Sequence, residues 1–215
     1  MAQSKVHRYE STTAVVTWDA VRCIHAAECI RTLPEVFDPD AKPWIRPDAA
    51  DATAIRAAVD RCPSGAMAVH APDGRTVALQ PATNTGLLMP GGPLYLRGKL
   101  QLRLGDAATE ETRVALCRCG ASQNKPFCDN SHQKVGFKDP GALAATSAPE
   151  PGVDLGASLT ITPTPNGPCK CDGPLTLHGN GGRTAFSTQT FLCRCGGSRN
   201  KPYCDGTHRT IGFVG

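Results

Sequence analysis

Sixteen residues recur almost unchanged in this chain, Cys117-Arg-Cys119-Gly-Ala-Ser122-Gln-Asn-Lys-Pro126-Phe-Cys128-Asp129-Asn130-Ser131-His132 and Cys193-Arg-Cys195-Gly-Gly-Ser198-Arg-Asn-Lys-Pro202-Tyr-Cys204-Asp205-Gly206-Thr207-His208. Both copies place three cysteines and one histidine as C-x-C-x8-C-x3-H. Thiolate and imidazole are the soft and borderline ligands that hold zinc or iron-sulfur clusters, so the pattern predicts a metalloprotein whose small modules fold around their sites. Structural zinc sites usually pair their ligands as knuckles two to four residues apart. A C-x-C pair with a third cysteine eight residues on departs from that habit, and leaves zinc as the lesser reading.

Composition agrees with small, stapled modules. The chain has 215 residues, long for one domain and short for two ordinary ones, and only 5% of them are aromatic while 22 are Gly and 18 Pro. Thin apolar cores follow, with metal binding expected to supply part of the folding free energy. Eleven cysteines make an odd count for a disulfide scaffold. The start, Met1-Ala-Gln-Ser-Lys-Val-His7, lacks the apolar run of a signal peptide, so a reducing cytoplasm is expected. No apolar stretch is long enough to cross a bilayer, and a soluble protein without membrane partners is expected. The formal charge of +4 is modest. Arg118, Lys125, Lys134, Arg194, Arg199, Lys201 and Arg209 lie in or beside the ligand loops without interleaved aromatics, which argues against specific nucleic-acid binding. They form either a solvated face or one that steers an acidic redox partner.

The ligand loops resemble the CDGSH iron-sulfur domain, patterned C-x-C-x2-(S/T)-x3-P-x-C-D-G-(S/T)-H. The second copy meets every position. The first departs only at Asn130, where the family has Gly, and Asn tolerates a left-handed backbone better than most residues. The resemblance implies one [2Fe-2S] cluster on Cys117, Cys119, Cys128 and His132, and another on Cys193, Cys195, Cys204 and His208. Gly92-Pro-Leu-Tyr-Leu-Arg-Gly98 and Gly173-Pro-Leu-Thr-Leu-His-Gly179 read as entering strands of the two units. Lys134-Val-Gly-Phe137 and Thr210-Ile-Gly-Phe213 read as closing strands. Family members with one motif dimerise, so two copies in one chain imply a monomer with an internal pseudo-dimer.

The first eighty residues are a separate module. Thr13–Trp18 reads as a strand, Cys23–Leu33 as a ligand loop entering a short helix, Asp48–Arg61 as a longer helix capped by Asp48 or Asp51, and Ala66–His70 and Thr76–Leu79 as further strands. Cys23-Ile-His25-Ala26-Ala-Glu-Cys29 with the distant Cys62-Pro63 resembles a divergent single-cluster bacterial ferredoxin, in which Ala26 stands where a middle cysteine would be. That loss implies a [3Fe-4S] cluster on Cys23, Cys29 and Cys62, or a [4Fe-4S] cluster with His25 as fourth ligand. Phe37 and Trp44 read as core rather than electron conduits. The expected fold class is therefore α+β: a ferredoxin-like domain over 1–80, a β-rich CDGSH module over 87–138, a Pro/Ala/Gly linker over 139–158 and a second module over 159–215.

Cys169 and Cys171 find no counterpart in the first unit and read as free surface thiols or half of a further site. His7, His70 and His178 read as surface residues. No nucleophile motif or nucleotide-binding glycine loop occurs, so no catalytic residues and no enzyme activity are expected. Two functions fit the ligands: electron transfer, and cluster delivery to an apo-protein or sensing of iron stress. A structural zinc module is the remaining alternative.

Overall fold

A computed structural model describes residues 5–77, 79 and 81–215. The protein is mostly β with few, short helices, and it divides into two compact units, one ending at Leu79 and one running to Gly215.

In the N-terminal unit, β1 (Val6–Glu10), β2 (Val15–Asp19) and β3 (Met67–His70) form an antiparallel sheet in that order. Helix α1 spans Glu28–Thr32 and α2 spans Ala52–Asp60. Helix α2 starts where Asp51 accepts the amides of Thr53 and Ala54 at 2.8 and 2.9 Å, a side-chain cap for otherwise unpaired donors. It is shorter than the sequence suggests, because Pro47–Ala49 makes a separate 3-10 turn and Ala50 is extended. Ile55 and Val59 bury one face of α2 against Val16, Phe37, Ile45 and Val69. The strand expected over Thr76–Leu79 is a single bridge between His70 and Thr76, with Ala78 outside the described residues. His70 is a half-buried strand residue, bonded to the hydroxyls of Thr17 and Thr76 at 3.1 Å each, and His7 stacks on Trp18. Neither is a free surface histidine.

The second unit is one six-stranded sheet. Each repeat supplies a short strand followed by a hairpin: β4 (Thr85–Leu88) with β5 (Leu94–Leu104) and β6 (Ala107–Leu116), then β7 (Leu159–Pro163) with β8 (Cys169–His178) and β9 (Thr184–Leu192). Strand β4 lies antiparallel to β5 of its own repeat and parallel to β8 of the other, and β7 does the converse with β8 and β5. Leu88, Leu96, Leu102, Leu159, Ile161, Leu175 and Leu177 form the shared core.

The register corrects the sequence alignment of the repeats. Strands β5 and β8 each shift register once, at Gly98 and at Gly173. Both glycines have positive φ, 157° and 122°, and a Cβ would lie 2.2 Å from Asn84 Oδ1 or 2.3 Å from the Ser158 carbonyl oxygen. Gly98 thus corresponds to Gly173, and Gly92-Pro93-Leu94-Tyr95-Leu96 corresponds to Gly167-Pro168-Cys169-Lys170-Cys171. The ladder agrees, since Leu94 faces Leu116 and Cys169 faces Leu192. Cys169 and Cys171 therefore do have counterparts, Leu94 and Leu96. They are not surface thiols: their exposures are 2% and 0%, and they fill the core as small apolar side chains.

Two further expectations change. The closing strands after each histidine are replaced by helical turns, α3 (Ser131–Lys134) and a 3-10 turn at Thr207–Arg209. Each starts from a left-handed residue and a carboxylate that accepts the amide two residues on, Asp129 to Ser131 and Asp205 to Thr207. Residues 139–158 hold no helix or strand, as a linker would, yet they are strapped down. Leu143 is buried in the shared core, Arg183 donates to the carbonyls of Leu143 and Ala144, and the Ser147 hydroxyl receives the Phe186 amide.

Candidate metal centres

Each CDGSH-like loop is a hairpin closed by its own backbone. The amide of Cys117 donates to Pro126 and that of Cys128 to Ala115, and Cys193 and Cys204 donate to Pro202 and Phe191 in the same way. Inside the loop the Ser122 hydroxyl donates to the Phe127 carbonyl at 2.7 Å and accepts the Asn124 amide at 3.0 Å. Ser198 repeats both bonds with Tyr203 and Asn200. Asp129 and Asp205 tie the loop across by accepting the amides of Gln123 and Arg199. The Ser and Asp that both loops share are thus scaffold. Asn130 adopts φ 67° where Gly206 has 87°, so the substituted position keeps its left-handed turn.

In the first loop the donors fall into pairs. Cys117 Sγ lies 3.6 Å from Cys119 Sγ, and Cys128 Sγ lies 3.5 Å from His132 Nδ1. Two sulfurs on one tetrahedral metal with bonds of about 2.3 Å sit about 3.8 Å apart, so each pair has the spacing of two ligands on one atom. Among the described residues no three His, Cys, Asp or Glu side chains close on a single ion. The second loop matches in its Cys193–Cys195 pair, 3.7 Å apart, but there His208 Nδ1 meets the Asn166 carbonyl at 2.8 Å instead of Cys204.

The electrostatics also ask for a cation. Burial raises the Cys128 thiol to about 11 and pushes Cys193 upward. A hydrogen bond from Cys119 holds Cys117 down to about 6 while driving Cys119 itself up, so the pair shares one proton. Backbone amides point at the sulfurs, from Ala121 to Cys119, Asn130 to Cys128 and Gly206 to Cys204, at 3.5, 3.4 and 3.4 Å. Half-buried thiols with amide donors but no full counter-charge become thiolates when metal binds. The two loops also touch. A Cβ on Gly120 would lie 2.5 Å from the Cys195 carbonyl oxygen, and one on Gly196 2.5 Å from that of Cys119.

In the N-terminal unit, Asp19 fixes the turn before Cys23 by accepting the amides of Val21 and Arg22. Left-handed residues at His25 and Ala27 then lead into α1, which carries Cys29, and Cys62 follows α2. Burial raises the Cys29 thiol, and the charges of Cys62 and Cys23 raise it further, which places each of those two within electrostatic reach of Cys29. Cys23, His25 and Cys29 line one cavity of about 500 Å³ together with Trp18, Lys42 and Trp44. Phe37 is core, as expected. Trp44 packs against that core and edge-on to Trp18 at 4.9 Å. Ala26 offers no donor, and His25 is the residue beside it that does.

Known families match both units. A model described as iron-binding zinc finger, CDGSH type, matches residues 91–133 and again 166–209, and one described as divergent 4Fe-4S mono-cluster matches residues 9–72. The chain belongs to the CDGSH iron-binding family, fused to a divergent mono-cluster domain. This CDGSH protein is therefore an iron-sulfur protein. It is 36% identical over 52 residues, 24% of its own length and 68% of the relative's, to the uncharacterised protein YjdI of Escherichia coli strain K12, and equally to YjdI of Escherichia coli O157:H7. No solved structure matches the chain. No helix among the described residues is long and apolar enough to cross a membrane.

Proposed function

We propose that this CDGSH protein is a multi-cluster electron carrier. Cys117, Cys119, Cys128 and His132 hold one [2Fe-2S] cluster, and Cys193, Cys195, Cys204 and His208 a second. Cys23, Cys29 and Cys62 hold a third, of [4Fe-4S] type with His25 as fourth ligand or of [3Fe-4S] type without it. The single observation that carries the reading is the reciprocal contact of Gly120 with Cys195 and Gly196 with Cys119, which brings the two ligand loops together backbone to backbone. Bound there, each cluster supplies a one-electron couple, raised in potential by its imidazole ligand.

The protein residues bury Cys117, Cys128 and Cys193, aim amides at Cys119, Cys128 and Cys204, and leave His132 and His208 half-exposed, where proton uptake at the ring nitrogen that does not hold iron would couple to reduction. Sharing of β4 and β7 between the repeats supports an intramolecular pseudo-dimer. Exposed Lys134, Arg199 and Arg209 beside the loops suit an acidic redox partner rather than nucleic acid. All eleven cysteines are free of disulfides, which suits a reducing compartment such as the cytoplasm. The role is carriage of electrons, without catalysis on a substrate. A redox titration tests it: full recovery of the visible spectrum after a cycle of reduction and reoxidation supports a carrier, and bleaching on the first reduction contradicts it.

A second reading, cluster delivery, is favoured by one contact, His208 Nδ1 on the Asn166 carbonyl. That carbonyl gives the histidine an alternative partner on release. Transfer of iron and sulfide to an apo-ferredoxin, slowed by His208→Cys, is the outcome that reading requires.

A further inference from the structure

Two arginines that the ligand assignment does not use sit inside the C-x-C pairs. Arg118 separates Cys117 from Cys119, Arg194 separates Cys193 from Cys195, and each is only 5% exposed. Burying a guanidinium this deeply is costly unless its charge has work to do or a partner to meet. Both are held rigidly. Arg118 donates to the carbonyls of Met89 and Gly92 at 2.9 and 3.4 Å, lies over the Phe137 ring at 5.8 Å and pairs with the buried carboxylate of Asp139. Arg194 donates to Gly167, Thr164 and Gly215 oxygens at 2.8, 2.7 and 3.0 Å and lies over Phe213 at 5.5 Å.

Both arginines line one small void together with Cys117 and Cys193, which sets two buried arginines next to ligand residues of both loops. Such a charge, screened little by water, stabilises the more negative of two redox states.

We propose that Arg118 and Arg194 are positioning residues that set the reduction potentials of the two CDGSH clusters, with Asp139 as the counter-charge that lowers the first. The inference rests on the ligand assignment proposed above. Electron uptake adds negative charge to a cluster, so a buried cation beside it raises the potential and a carboxylate on that cation lowers it again. Main-chain oxygens hold the arginines in place.

Potentiometric titration of the full chain, followed by visible absorption and EPR, tests this on Asp139→Asn, Arg194→Gln and Arg194→Lys. Asp139→Asn is expected to favour reduction of one [2Fe-2S] cluster about tenfold, a rise of about 59 mV for a one-electron couple. Arg194→Gln is expected to lower both potentials, and Arg194→Lys, which keeps the charge, to restore most of the loss. The Asn substitution is isosteric and remains informative where Arg194→Gln does not fold. Normally loaded clusters with an unmoved potential in Asp139→Asn overturn the inference. Wild-type protein without [2Fe-2S] signals overturns the ligand assignment, and the inference with it.

Discussion

Gly120 and Cys195 meet backbone to backbone, since a Cβ on the glycine would sit 2.5 Å from the cysteine carbonyl oxygen. Gly196 and Cys119 repeat the contact, and both glycines have positive φ, 79° and 77°. Each loop therefore needs glycine twice over, for its conformation and for its neighbour. Gly120→Ala and Gly196→Ala are expected to destabilise the second unit by about 1–3 kcal/mol each and to loosen both loops together. Thermal denaturation with visible absorption as a second probe checks this; loss of colour from one loop alone would separate sites that the contact joins.

A bulge glycine and a hairpin-turn glycine give a sharper contrast. Gly98 and Gly105 both have positive φ, but a Cβ on Gly98 collides with buried Asn84 while one on Gly105 meets nothing within 4 Å. Asn84 joins the repeats, donating to the carbonyls of Ala157 and Pro174 and accepting the Lys99 amide. Gly98→Ala should cost more than Gly105→Ala by about 1 kcal/mol or more, measured as the difference in chemical denaturation midpoints. Equal costs would mean that backbone strain alone decides.

Cys169 and Cys171 hold the places of Leu94 and Leu96, so they should be dispensable for metal. The double substitution Cys169→Val and Cys171→Val is expected to leave iron and sulfide content unchanged, with a stability change of about 1 kcal/mol. Loss of about two irons per chain would make them ligands instead.

Proton coupling should reside in two side chains. Burial lowers the proton affinity of His132 in the metal-free loop, so acid opposes the folded loop: the unfolded chain binds the proton more readily, and stability falls as pH drops towards and below about 6.5. A metal on the ring nitrogen competes with the same proton. His132→Cys and His208→Cys should each remove the pH dependence of one CDGSH potential, followed by redox titration between pH 6 and pH 9. A double variant that keeps the dependence would place the proton elsewhere.

Local signals in the sequence were legible where a residue type has one physical use. The C-x-C-x8-C-x3-H spacing marked both loops, Ile55 and Val59 the buried face of their helix, and Asp48 and Asp51 two candidate caps, of which the structure uses Asp51. Register was not legible, because Gly-Pro-Leu-x-Leu occurs at both Gly92 and Gly173, and only the Asn84 and Ser158 contacts decide that Gly98 pairs with Gly173. That one slip also hid the roles of Cys169 and Cys171. The closing strands failed for a related reason: Val135 and Ile211 look like strand residues, but the left-handed turns at Asn130 and Gly206 and the carboxylates beside them commit the chain to a helical turn first. Burial of Arg118 and Arg194 had no sequence signal, since arginines in a polar loop ordinarily face water.

The central claim, that eleven side chains hold three iron-sulfur clusters, is tested most directly by iron, sulfide and zinc analysis of protein purified without oxygen, with EPR before and after dithionite. About eight irons per chain with matching acid-labile sulfide are expected if His25 completes the N-terminal site, and about seven with an oxidised three-iron signal if it does not. Zinc without visible absorption bands or labile sulfide would contradict the account.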